Sequence, residues 1–249
     1  MISGKKLTLI VVIFVVAYLG FVIALAPIKN ILGFVELPKQ VAVVNPKGSL
    51  WHGRAESIWV EQVELKNVRW TVNLLSLLTF NPSVDIDFGN RSKSQPNGSL
   101  TLRGLSSDLT VSDANVSVAA NTALSYYPVP FELQADGDLQ LNIDKFVVGQ
   151  PICSHLAGQL SWPQARVSAM DESVELGPLK ADLTCEQGEL LVTIDINNNL
   201  GLEFNARVAM DKISGQGYLT PGAKFPAEVR PLLSFIGRPD NRGRYRLKI

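Results

Sequence analysis

Histidine is nearly absent from this chain: His52 and His155 are the two in 249 residues, and cysteine is as rare, with Cys153 and Cys185. Neither histidine falls in a His-Glu-x-x-His or Cys-x-x-Cys spacing, so a zinc centre built from clustered imidazole and thiolate is not expected. There is no Gly-x-Ser-x-Gly nucleophile elbow and no glycine-rich phosphate loop ending in Lys-Ser or Lys-Thr. The triplet Gly215-Gln216-Gly217 is too short to replace one. A nucleophilic set of Ser154 and His155 would need an aspartate from a distant part of the chain. Asp85 and Asp87 are spaced like a carboxylate pair, but they alternate with Val84, Ile86 and Phe88, the pattern of a strand with one wet face. The sequence therefore predicts no catalysis, metal, cofactor or small-molecule substrate.

Charge of one sign is not in excess either. Twenty-three basic residues balance 23 acidic ones, and the cationic residues are scattered singly, so nucleic acid is not an expected partner. Hydrophobic residues make up 46% of the chain and charged residues 18%, enough apolar sequence for a sizeable core and too much for disorder.

The clearest feature present is a charge-free stretch of 20 residues from Leu7 to Ala26. At ~1.5 Å per residue a helix of that length reaches about 30 Å, one bilayer core. Ala24-Leu25-Ala26 has the small-x-small form of a signal-peptide cleavage site. The run, however, exceeds the usual apolar region of ~7 to 15 residues, and Pro27 would follow the scissile bond. Retention as a transmembrane helix at 7–26 is the expectation. Lys5 and Lys6 place a short tail, 1–6, in the cytoplasm by the positive-inside tendency, a contrast weakened by Lys29 and Lys39 on the exit side. Residues 27–40 then form a membrane-proximal linker. Residues 41–249 form a β-rich domain on the far side of that membrane.

Beyond Val41 apolar and polar residues alternate, as in Val84–Phe88, Val116 and Val118, Leu139 to Ile143, and Leu200 to Val208. The expected fold is mainly β: a curved antiparallel, meander-like sheet with one wet face and one or two short helices. A hairpin is expected from Leu190–Ile196 through Asn197-Asn198-Asn199 to Leu200–Val208. Gly-x-Leu recurs at Gly48, Gly98, Gly137, Gly158, Gly188 and Gly217, read as bends that open strands. Asn73–Thr79 is a predicted helix capped by Asn73 and packed across the sheet. Pro231–Ile236, closed by Gly237, is a second. Asn90–Asn97 reads as a loop tip or subdomain boundary.

Cys153 and Cys185 form a candidate disulfide if the domain is exported, in which case closing a loop of about 33 residues would stabilise it by roughly 3 to 4 kcal/mol. Two buried reduced thiols in neighbouring strands are the alternative. Four tryptophans bury large areas while needing partners for their N–H groups. Trp59, between Ile58 and Val60, is read as core. Within Gly48-Ser49-Leu50-Trp51-His52-Gly53-Arg54-Ala55 the two glycines suggest a tight bend with the Trp51 indole folded onto the sheet, leaving Arg54 free for a carboxylate or carbonyl cluster. Both a structural and a binding role remain open for this segment.

With that segment, Val68-Arg69-Trp70 and the leucine-rich helix after it, Gly158-x-Leu160-x-Trp162 with Ala165, Leu176-Gly177, Gly217-Tyr218-Leu219-Thr220-Pro221 and the terminal Leu232-Leu233 to Gly237-Arg238-Pro239-Asp240 with Gly243-Arg244-Tyr245, the chain resembles the type II secretion system protein N family end to end. The resemblance implies an accessory component anchored in the inner membrane, touching other secretion components and inner-membrane lipid, with no catalytic residues to carry over. The candidate interaction or structural residues are Trp51, Gly53, Arg54, Trp70, Gly158 and Trp162. A more distant, fold-level likeness to AsmA-like envelope proteins implies an alternative: a module binding or conducting lipid in an apolar β-groove.

Overall fold

A computed structural model describes residues 10–15, 17–18, 20, 27–33, 40–90, 96–104, 109–126, 133–169 and 172–249. The predicted span 7–26 lies largely outside these. Its described part, within 10–20, is helical with exposed side chains, and among the described residues no helix is long and apolar enough to cross a membrane.

The remainder is one antiparallel sheet. Its strands are β1 (Val41–Val44), β2 (Lys47–Gly48), β3 (His52–Val60), β4 (Val63–Asn73), β5 (Ser83–Phe88), β6 (Asn97–Arg103), β7 (Thr110–Ala119), β8 (Gln134–Asp136), β9 (Asp138–Val148), β10 (Cys153–Ala169), β11 (Glu172–Glu186), β12 (Glu189–Ile194), β13 (Leu202–Val208), β14 (Ile213–Leu219) and β15 (Tyr245–Lys248). They pair almost wholly in sequence order, from β1 through β3 to β15, with β2 added beside β3 and β8 beside β10. That is the expected meander, in which most neighbouring strands are joined by hairpin connections too short for crossovers.

Register turns the alternation into two faces. Directly opposed residues point to the same side of a sheet, so Val72, Val84, Leu102, Val111, Phe146 and Leu156 form one apolar row across six strands. On the other face the row is polar: Lys47, Arg54, Arg69, Asp87, Ser99, Asn115, Asn142, Gln159, Asp182, Thr193, Asn205, Gln216 and Lys248. Register shifts at Ser99/Thr101, at Ala157/Gly158 and between Trp162 and Arg166 interrupt the ladders without exchanging the faces beyond them. Much of the apolar face is half-buried. At the β13–β15 end it is covered by residues 220–236, where Phe225 and Leu233 pack with Leu219 against Leu202, Tyr245 and Leu247.

Several local expectations change. The hairpin expected to return at Leu200 re-enters a strand at Leu202 and pairs with β12 only from Asn205, the Asn198 side chain holding the intervening turn. Its Oδ1 accepts from the N–H groups of Leu200 and Leu202 at 3.1 and 2.9 Å. Of the recurrent glycines, Gly48, Gly137 and Gly188 have φ of 95°, 90° and 84° and are bends. Gly98 and Gly217 lie inside strands, where a β-carbon would meet a neighbouring carbonyl oxygen at 2.2 and 2.1 Å. The helix Leu74–Leu78 forms where expected, and Asn73 Oδ1 accepts from the Leu75 N–H at 3.1 Å. It does not pack across the sheet: none of its residues is buried, because it leaves β4 at the sheet's end. The C-terminal helix begins earlier than expected, as a 3-10 turn at Ala227–Leu232 before Leu233–Ile236. Short helices at Ile28–Leu32 and Ala120–Ser125 were not foreseen. Most of Asn90–Asn97, expected as a loop tip or subdomain boundary, lies outside the described residues; β5 and β6 on either side of it pair directly. Trp59 is 39% exposed rather than core, because it lies beside the edge strand β1, opposite Ala42.

Candidate functional site

The segment Gly48–Ala55 is a built corner. The Ser49 N–H donates to the His52 carbonyl at 2.9 Å and the His52 N–H donates to Ser49 Oγ at 3.1 Å, closing the turn between β2 and β3. The Val72 N–H donates to the Trp51 carbonyl at 2.8 Å, tying the turn to β4. Across the ladder Gly53 faces Trp70, whose Nε1 donates to the Leu50 carbonyl at 3.1 Å. The ring lying over Gly53 is therefore that of Trp70. The reason is register: Gly53 and Trp70 are cross-strand partners on one face, while Trp51 stays in the turn, half-buried.

On the opposite face stands Arg54, and it is not alone. Lys47 and Arg69 flank it in direct register, and the three line a cavity of about 330 Å³ together with Asn45, Glu56 and Asn67. Glu56 accepts a hydrogen bond from Asn45 Nδ2 at 2.7 Å. None of the three cationic side chains forms an ion pair among the described residues. Sequence reading singled out Arg54 alone. Residues 47, 54 and 69 meet only through strand register, which no local pattern reveals.

A second cluster lies on β10, five strand spacings from β4 and roughly 24 Å away along the sheet. Trp162 Nε1 donates to the Asp136 carbonyl at 2.8 Å, beside Gly137. Gly158 allows β9 and β10 to approach, since a β-carbon there would lie 2.9 Å from the Asn142 carbonyl oxygen. Cys153 and Cys185 form a disulfide that ties the start of β10 to the end of β11, with Cα atoms 6.1 Å apart. The candidate residues thus divide into two groups rather than one site. Trp70 and Trp162 share a role, each indole donating to a backbone carbonyl beside a glycine.

Ser154 lies in a β-bulge between Cys153 and His155, where β10 advances two residues for one on β9, and both Ser154 and His155 are exposed. The Ser154 hydroxyl donates to the Val147 carbonyl at 3.5 Å. Asp85 lies on the polar face and accepts from the Thr101 hydroxyl at 2.8 Å. Among the described residues no group of three or more His, Cys, Asp and Glu side chains comes together as a metal site. The sheet is open, and its two terminal strands differ. β15 carries Arg246 and Lys248, whereas β1 is Val-Ala-Val-Val with no charge.

Among the described residues, fold and site together define an open β-sheet in which tryptophan–glycine pairs set corners, the terminal strand β1 carries no charge and a basic corner lines a cavity. Comparison with known proteins names the family. The sequence profile of type II secretion system (T2SS), protein N matches residues 39–248, and the chain belongs to that family. It is 31% identical over 254 residues to type II secretion system protein N of Aeromonas hydrophila, covering 98% of each chain. It is 28% identical to the protein of that name from Vibrio cholerae serotype O1, covering 93% of this chain and 90% of that one. With the Pectobacterium carotovorum protein it shares 27% identity, covering 92% and 90%. No solved structure matches.

Proposed function

We infer that the chain is an accessory component of the type II secretion apparatus, held in the inner membrane by residues 7–26 and acting in the periplasm by binding other components rather than by catalysis. The observation that carries this reading is the edge strand β1, Val41–Val44, which ends one side of the sheet without a charged residue. An uncharged open edge is a template for another strand. Proteins that stay monomeric usually guard such edges with lysine, as β15 does with Lys248. Family membership supplies the class of partner, and the charge-free stretch supplies the anchor.

The alternative reading, lipid carried in an apolar groove, finds less support. Two cavities of about 330 and 460 Å³ have mixed linings that include Lys47, Arg54, Arg69, Asp136, Arg166 and Glu175. The apolar face is spread across the sheet as half-buried surface.

A photocrosslinking amino acid at Ala42 or Val44 in living cells should capture another secretion component, and Ala42→Pro or Val43→Pro should abolish capture. Adjacent residues of an edge strand present their N–H groups to opposite sides, so one of the two prolines removes a donor at the open edge. Absence of any secretion component among the crosslinked products, together with normal secretion in cells lacking the protein, overturns the reading. Alkaline phosphatase fused after Ile249 tests topology separately, and an inactive fusion would place the domain in the cytoplasm.

A further inference from the structure

Backbone contacts bring three features to one end of the first strands. Pro27, which directly follows the charge-free stretch, bridges to Ser49 in the turn before β3. That turn is bonded to Val72 near the end of β4, and β4 leads straight into the helix Leu74–Leu78. The polar groups of this helix are spent on fastening it. Ser76 Oγ donates to the Asn73 carbonyl at 2.5 Å and accepts from the Ser83 N–H at 2.8 Å. Its apolar groups point away: Leu75, Leu78 and the following Phe80 are 74, 78 and 93% exposed. Phe80 also has a φ of 54°, a conformation unfavourable for a bulky side chain, with no burial in the protein to offset it.

Arg54 lies two residues into β3, roughly 7 Å from that end, about the depth of a headgroup layer. Lys47, Arg54 and Arg69 are directly opposed like charges, an arrangement that destabilises a sheet in the absence of a counter-ion. Two acidic neighbours offset part of this repulsion through space, and neither is in ion-pair contact with the three. Glu56 is engaged by Asn45, and Asp87, opposite Arg69 in register, forms no ion pair among the described residues.

We propose that this end of the sheet is a lipid-contact surface on the membrane that anchors the chain: Leu75, Leu78 and Phe80 enter the acyl boundary, and Lys47, Arg54 and Arg69 hold the phosphate of an anionic phospholipid headgroup. The proposal rests on the anchoring reading, and the bridge from Pro27 to Ser49 is what brings the surface to the bilayer. Apolar prongs beside cationic side chains are the pairing that an interface selects, with the acyl boundary taking the first and the phosphate the second.

The test uses the full chain reconstituted in vesicles of phosphatidylethanolamine and phosphatidylglycerol. Because both native cysteines are in the disulfide, Leu78→Cys or Phe80→Cys gives a unique thiol for a nitroxide label. Collision with molecular oxygen should speed spin relaxation of the label at 78 and 80 more than a water-soluble nickel chelate does, with the reverse at Ile196→Cys, an exposed apolar position on the β12–β13 turn. Water-exposed labels at both 78 and 80 overturn the proposal. For the basic corner, binding of short-chain phosphatidylglycerol to the full chain in neutral detergent is followed by phosphorus NMR. It should weaken about tenfold in the Arg54→Gln/Arg69→Gln double variant, and phosphatidylcholine should bind poorly to both. Unchanged affinity overturns the headgroup assignment, and inorganic phosphate binding as tightly as the lipid overturns it in favour of a free phosphate. Alkaline extraction of the same vesicles keeps the two readings apart. Loss of the chain from the membrane defeats the anchor, whereas a retained chain with aqueous labels defeats only the surface.

Discussion

The indole of Trp70 occupies the space that a side chain at Gly53 would need: a β-carbon on residue 53 would lie 2.1 Å from Trp70 Cζ2. The ring cannot swing aside without giving up its hydrogen bond to the Leu50 carbonyl. Gly53→Ala should therefore destabilise the domain by about 1 to 3 kcal/mol, the usual cost of overpacking. Denaturant unfolding measures this, and in the background of Trp70→Leu the same alanine should cost much less. Equal costs in both backgrounds would refute the packing relationship.

A harsher result is expected at Gly217, where a β-carbon would meet the Glu203 carbonyl oxygen at 2.1 Å. No side chain can yield there, because the obstacle is backbone of the paired strand. Gly217→Val should open the β13–β14 ladder and raise amide exchange at Leu202–Val208 while leaving β3–β5 protected. Uniform protection in the variant would contradict the assigned register.

Removing the disulfide by Cys153→Ser/Cys185→Ser should cost roughly 3 to 4 kcal/mol in the chain-entropy description. Cys153 is fully buried, so serine adds the cost of placing a hydroxyl there. The measurement is chemical unfolding of the exported form, with and without reductant. The double variant should be insensitive to reductant and the native chain should not.

The exposed leucines behave oppositely. Leu75→Ser and Leu78→Ser should change unfolding by no more than about 0.5 kcal/mol, since their side chains contribute little to the core. Any loss of secretion in these variants at normal protein level then reports a lost contact rather than misfolding.

Asp240 supplies a pH-dependent contact. Its carboxylate is held below the usual range first by the Arg244 backbone N–H; desolvation, the next influence in size, opposes this, and the Arg244 guanidinium and the Arg242 N–H add to the lowering. A depressed carboxylate stabilises the folded loop above the ordinary carboxylate pKa and loses that contribution as pH falls through the lowered value. Protection of the Arg242 and Arg244 amides, taken relative to the intrinsic base-catalysed exchange rate at each pH, should fall under acid in the native chain. In Asp240→Asn that protection should already be low at neutral pH and change little with acidification.

The strand-rich class, the two faces and the Asn73 cap were all legible in the amino-acid order, because each depends on neighbours within a few residues. Period-two alternation in Val84–Phe88 declares its apolar face wherever the strand is placed. An asparagine before a leucine run declares a helix start. The cysteine pair could be named as partners only on the condition of export, and the glycines could be read as bends only where the chain turns. At Gly98 and Gly217 the need for glycine comes from a neighbouring strand's carbonyl, so bend chemistry misread them.

By itself the sequence determined that a charge-free stretch precedes a sheet with one wet side, since hydropathy and alternation are properties of the chain before it folds. Only tertiary structure decided that Trp70 covers Gly53, that Lys47, Arg54 and Arg69 line one cavity, and that Pro27 meets Ser49 beside an exposed leucine helix. These relations depend on which strand lies beside which and in what register. That choice is made by the summed cross-strand contacts of the whole sheet, and no single segment carries it.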